Sequence, residues 1–148
     1  MATTTTYEDV FSLFKDNITD PDLLKLCDFL QTDTLLALMN KSIAKCNRIV
    51  KKTVDLSLGD NELMEFPFTI PGEVMDILIE WMIVFWLTPY VNNIEVLQNS
   101  MSTKDFSVFS PANLLEEISN RYELARKHAR SLTSEYSYII GDMARLKS

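Results

Sequence analysis

The chain is short of the residues that most chemistry needs: three glycines, two cysteines and a single histidine among 148 positions. Gly59, Gly72 and Gly141 stand far apart, so no glycine-rich loop exists to close backbone amides around a phosphate. Cys27 and Cys46 are too few and too widely spaced for a disulfide framework or a zinc knuckle, and they read as reduced thiols. His128 has Arg126, Lys127 and Arg130 for neighbours, on a helical face read as exposed, with nothing to orient it as a general base. No His/Glu pair at helical spacing offers itself to a metal. These gaps argue against an enzyme and against any cofactor. A membrane span is excluded on length: the longest apolar run, Trp81 to Leu87, falls far below the roughly 20 residues a bilayer requires. The opening MATTTTYED lacks the basic-then-apolar order of a secretion signal.

Positive charge is also missing from one whole third of the chain. Residues 1–52 hold seven acids and seven bases, and residues 104–148 hold six acids and seven bases. Residues 53–103 hold eight acids and no lysine or arginine, so they carry the net charge of −7 almost alone. A groove for nucleic acid needs the opposite sign. The apolar content of 47% is nevertheless that of a globular domain, and 148 residues suffice for one real core.

That core is expected around Glu73–Leu87, EVMDILIEWMIVFWL. Its only charges, Glu73, Asp76 and Glu80, recur at three and four residues and so form one narrow stripe on a helix otherwise apolar all round. Asp76 and Glu80 read either as a proton-sharing carboxylate pair or, more simply, as a polar seam or an ion pair to a neighbouring subunit. Upstream, Thr4–Asn17 is an amphipathic helix that Thr5 or Thr6 would cap. Asp20-Pro21 starts a brief second helix. A third runs from about Asp33 to Lys52 and carries a basic stripe of Lys41, Lys45, Arg48 and Lys52. That stripe is either a solvated face or a contact surface for a negatively charged neighbour.

Residues 53–70 have no helical period. Phe66, Phe68 and Ile70 alternate with Pro67 and Thr69, an extended segment suited to a sheet edge or to adding a strand to another molecule. This stretch reads as a projecting, partner-touching loop, or as a plain anchored surface loop. Pro89 ends or kinks the central helix, with a further helix open to Tyr90–Leu97 and a polar turn over Asn99–Phe109. Ser110-Pro111 opens the last helix. Its seam of Leu115, Ile118, Tyr122, Ala125, Ala129, Leu132, Tyr136 and Ile139 keeps coiled-coil spacing for more than three heptads. Glu117–Arg121 and Glu123–Lys127 are favourable pairs along it. Gly141 is placed to stop it. The reading is an all-α bundle of about four to five helices over residues 1–140, with a long C-terminal helix, one extended loop at about 53–70, and a tail from 141 to 148.

The later part of this pattern resembles the head–tail connector, or neck, proteins of tailed bacteriophages. The residues that carry the resemblance are Trp86-Leu87-Thr88-Pro89, Asn92, Lys104-Asp105-Phe106, Phe109-Ser110-Pro111-Ala112-Asn113 and Tyr136-Ser137-Tyr138. Upstream, YEDVFSLF and SIAKCNRIVKK are similar to that family's opening helices, while FPFTIPG, within residues 59–72, departs from its more polar, acidic approach. The resemblance implies a virion protein, made in the host cytoplasm, that forms a homo-oligomeric ring, commonly of twelve copies, between the portal protein and the tail or a second neck protein. Genomic DNA would pass through the ring without sequence-specific binding. On that view the subunit and partner contacts are Lys41, Lys45, Arg48, Lys52, Phe66, Phe68, Ile70, Asp76, Glu80, Tyr136, Tyr138 and Ile139. Asp55, Asp60, Glu62 and Glu65 are candidates to face the channel, and either the 53–70 loop or the C-terminal tail would reach the portal. The alternative is a soluble helical adaptor or regulatory module that binds one protein partner.

Overall fold

The computed structural model describes residues 4–91, 93 and 111–147, with side chains described over 113–141 of the last helix. Within these residues the fold is an all-α bundle built round one buried helix. Helix α1, Tyr7–Asp16, begins at a reciprocal cap. The Thr6 hydroxyl accepts from Asp9 N at 3.1 Å, and Thr6 N donates to the Asp9 carboxylate at 3.0 Å. This satisfies two of the amides that a helix start leaves without partners. Helix α2, Pro21–Cys27, is capped by Asp20, which accepts from the amides of Asp22 and Leu23. Helix α3, Thr32–Val50, buries Leu35, Met39, Ile43, Cys46 and Val50 along one stripe.

Helix α4, Gly72–Leu87, is the centre, with Val74, Ile77, Leu78, Met82, Ile83 and Leu87 sealed from water. It lies against α1, α3 and the last helix, α5, Pro111–Lys147. At α1 the contact includes an edge-to-face pair of Phe14 and Trp86, 5.5 Å between ring centres. At α5 it runs over Ala125 and Ala129, both fully buried, whose small side chains let the two backbones approach. Pro89 ends α4 as expected: a single 3₁₀ turn, Thr88–Tyr90, follows, and the Thr88 hydroxyl donates to Val84 O at 2.6 Å. Among the described residues no helix is long and apolar enough to cross a membrane.

Three expectations are corrected. Gly141 does not stop α5, which continues to Lys147. Termination by glycine needs a left-handed residue, and no glycine here has positive φ. The segment 141–147 is therefore helix, not tail. The seam of α5 also starts one residue earlier than read, at buried Leu114, and leaves Ile139 exposed.

The third correction concerns residues 53–70. Their extended part does not reach outward, because it pairs with the chain's own N-terminal residues. Phe66 N donates to Thr5 O at 2.9 Å, Thr5 N to Phe68 O at 3.0 Å, and Tyr7 N to Met64 O at 2.8 Å. Ile70 N donates to the buried Thr5 hydroxyl at 2.9 Å. Phe66 and Ile70 are core residues, and Phe68 is half-buried and stacked on Phe66. They do not offer themselves to a partner. The burial gained by two apolar side chains outweighs any preference for display. The tip, Asp60–Leu63, stands out in solvent, and Thr53, Ser57, Leu58, Pro67 and Thr69 are exposed as well. Met64 closes that tip with φ of 57°, the one non-glycine residue in the left-handed region among those described. Asn92, Lys104–Phe106, Phe109, Ser110, the turn expected over Asn99–Phe109 and the helix expected beyond Val91 lie outside the described residues.

Candidate assembly surfaces

The basic stripe of α3 divides into two halves. Lys41 Nζ lies 4.8 Å from the centre of the Phe85 ring and Lys45 Nζ 5.1 Å from that of Trp81. These two rings are themselves stacked at 5.9 Å. Trp81 is held from the other side, its Nε1–H donating to the Thr133 hydroxyl of α5 at 3.1 Å. Lys41 and Lys45 therefore roof the aromatic face of α4, each such contact contributing about 0.5–1 kcal/mol at an exposed site. Arg48, Lys51 and Lys52 remain at the far end of α3, all exposed. Arg48 and Lys51 border a groove of about 450 Å³ shared with Tyr7, Leu56 and Asn61.

The acidic stripe divides as well. Glu80 is buried, with Oε1 3.2 Å from His128 Nδ1 and 3.8 Å from an Arg121 guanidinium nitrogen. It clasps α4 to α5 inside one chain and is not open to a neighbouring subunit. Helix α5 covers the face of α4 that the bare sequence leaves undefined. The same contact gives His128 an orienting partner that its basic sequence neighbours conceal. Asp76, one turn away, is exposed. With Glu73 it borders a narrow cleft of about 120 Å³, closed on the α5 side by Leu132, Glu135, Tyr136 and Ile139. Tyr136 is buried there, whereas Tyr138 is 72% exposed. Sequence reading missed Glu135 and gave Arg121 to Glu117 instead of Glu80. Only the packing of α5 against α4, two helices separated by residues 88–110, brings them to α4, and no local periodicity encodes it.

The loop acids differ in their commitments. Asp55 accepts from the Ser57 hydroxyl, Ser57 N and Asn47 Nδ2. The bonds from Ser57 and then Asn47 hold its carboxyl below the ordinary range. It caps the 3₁₀ turn Leu56–Leu58. Asp60 likewise accepts from the amides of Glu62 and Leu63. Glu62 is exposed and Glu65 half-buried.

One group of described carboxylates converges closely enough to hold a cation. The oxygens of Asp20, Asp22 and Glu117 lie within 4.8 Å of one another, although Asp20 already caps α2. Desolvation, followed by the charges of Asp20 and Asp22, raises the Glu117 carboxyl above the usual range. Glu117 thus faces α2, not the Arg121 expected as its partner, which reaches Glu80 instead. Burial pushes the thiols of Cys27 and Cys46 up to about 11 and about 12, so both stay protonated at neutral pH and neither is a ready nucleophile.

The arrangement offers charged faces and grooves on a helical scaffold. No family model, curated protein or solved structure matches the chain.

Proposed function

We propose that the protein is a structural subunit of a phage neck, assembling through copies of itself into a ring that joins portal to tail and surrounds the passing genome. The observation that carries this reading is the pair of oppositely charged exposed surfaces formed by different elements of one helical bundle. Arg48 and Lys51 face the groove beside α1 and the loop, and Glu73, Asp76 and Glu135 face the cleft between α4 and α5. A head-to-tail ring needs two unlike complementary surfaces on each subunit, and a chain bound once to a single partner needs only one. The Trp86–Pro89, Pro111–Asn113 and Tyr136–Tyr138 motifs supply the resemblance to neck proteins. Exposed Asp60 and Glu62 at the loop tip, repeated round a ring, would repel the DNA backbone and favour sliding over sticking.

Native mass spectrometry of the purified chain, alone and with its cognate portal complex, tests the reading. A closed species with one fixed number of copies, twelve being the expected count, or near-equal loading on each portal subunit, supports it. A strict one-to-one complex with a single partner, or no association with the portal under any condition, refutes it.

A further inference from the structure

The cleft between α4 and α5 has the build of a receptor for a basic side chain. Glu73, Asp76 and Glu135 rim it, while Ile77, Leu132 and Ile139 give it apolar walls. All three carboxylates are exposed, and among the described residues the ion pairs formed involve Glu80 and none of these three. At about 120 Å³ the space is too small for a helix or a strand, yet it suits the aliphatic stem of a lysine or arginine whose charged head stays among the rim acids. Arginine adds a forked, two-point bond to a carboxylate.

We propose that the occupant is the Arg48–Lys52 end of α3 from a second copy of this chain. The inference rests on the self-assembly reading above and names the contact by which it would occur. Three observations select that occupant. Arg48 lies in the last turn of α3 and Lys51 and Lys52 in the turn directly after it, and all three are exposed. Lys41 and Lys45, higher on the same helix, are already laid over Phe85 and Trp81, so this end is where the stripe is free. The groove that Arg48 borders involves α1 and the loop, whereas the cleft lies between α4 and α5. The two surfaces are thus distinct, as a heterologous contact requires, in which each copy gives its basic end to one neighbour and its cleft to the next.

Charge reversal in the full chain tests this directly. One variant carries Asp76→Lys and Glu135→Lys in the cleft. The other carries Arg48→Glu and Lys52→Glu at the basic end, leaving Lys51 in place because its charge steadies Asp55. Each variant alone presents like charges to itself, and the concentration for half-assembly in sedimentation velocity should rise about tenfold or more. An equimolar mixture pairs each reversed surface with its opposite and should restore assembly, with the two variants in equal numbers by native mass spectrometry. The unmodified protein should also assemble less readily as salt is raised from about 0.05 to 0.5 M, a readout that needs no variant. If both variants assemble like the unmodified chain, or the mixture fails to rescue them, this contact is wrong while the self-assembly reading stands. If the unmodified chain never assembles, alone or on the portal, that reading fails and the contact with it.

Discussion

Replacing Glu80 by methionine and Arg121 by leucine together should leave the protein as stable as before or make it more stable, although it removes a buried ion pair. Glu80 is the single charged side chain buried on α4, with 8% of its side chain exposed. Its Oε1 meets His128 and Arg121, but Oε2 is buried without a hydrogen-bond partner among the described residues. Losing the charge-assisted contact costs about 1.5–3 kcal/mol, and removing an unsatisfied buried oxygen returns about 1–3 kcal/mol. The methionine side chain adds roughly 1.5–3 kcal/mol of apolar burial. The exposures of His128 and Arg121 decide what must change with Glu80. His128 keeps 54% of its side chain in water and resolvates at little cost. Arg121 keeps only 18% and would be left as a mostly buried, unpaired charge if Glu80 alone were changed, so Glu80 and Arg121 are replaced together. Buried pairs replaced by apolar residues of similar size commonly behave this way. The expected change is therefore between zero and about 3 kcal/mol in favour of the variant. Alanine at position 80 beside the same leucine, filling no space, should be about 2–4 kcal/mol less stable than methionine. Urea melts followed at 222 nm give both values, provided the slope with denaturant is unchanged. A methionine–leucine variant that loses more than about 1 kcal/mol at constant slope would overturn the reasoning. It would mean that the ion pair stabilises the α4–α5 contact by more than its own desolvation.

Further expectations follow from single positions. A Cβ added at Gly59 would lie 2.5 Å from the Tyr7 hydroxyl and 3.0 Å from the Phe66 ring, so Gly59→Ala should cost about 1–3 kcal/mol in the same melts. Gly141→Ala meets nothing within 4 Å and sits inside a helix, so it should stabilise by about 0.5–1 kcal/mol. The raised Glu117 carboxyl means that the folded chain holds this proton more tightly than the unfolded chain does. Stability from this group is then full below the unfolded value and declines as pH rises through the folded one. Glu117→Gln should accordingly raise Tm at pH about 7 and change it little near pH 4; a lower Tm at pH 7 would contradict the crowding of acids at Asp20 and Asp22.

The helices were legible wherever one residue type announces a boundary. Thr6, Asp20-Pro21 and Pro89 each bring a local geometry that needs no tertiary help, and α1, α2 and the end of α4 fall where they indicate. Gly141 misled because glycine permits a left-handed stop without requiring one. Buried faces were legible from periodicity, but the partner of each face was not. Glu80 reads as a member of an exposed acidic stripe until α5 lies over it. The 64–70 segment reads as an available edge because its companion, Thr5–Tyr7, is nearly sixty residues upstream. Charge blocks were visible at once in the sequence. Which charges stay free depended on side chains that lie across other helices, as Lys41 and Lys45 do.

The pairing of Thr5–Tyr7 with Met64–Ile70 also acts as a guard. An unoccupied extended edge flanked by Phe66 and Phe68 would be a template for other chains, and here the molecule covers it with its own opening residues. Trimming the chain back beyond Tyr7 should uncover that template. The shortened protein would then cloud its solution with intermolecular β-structure well before its helices melt.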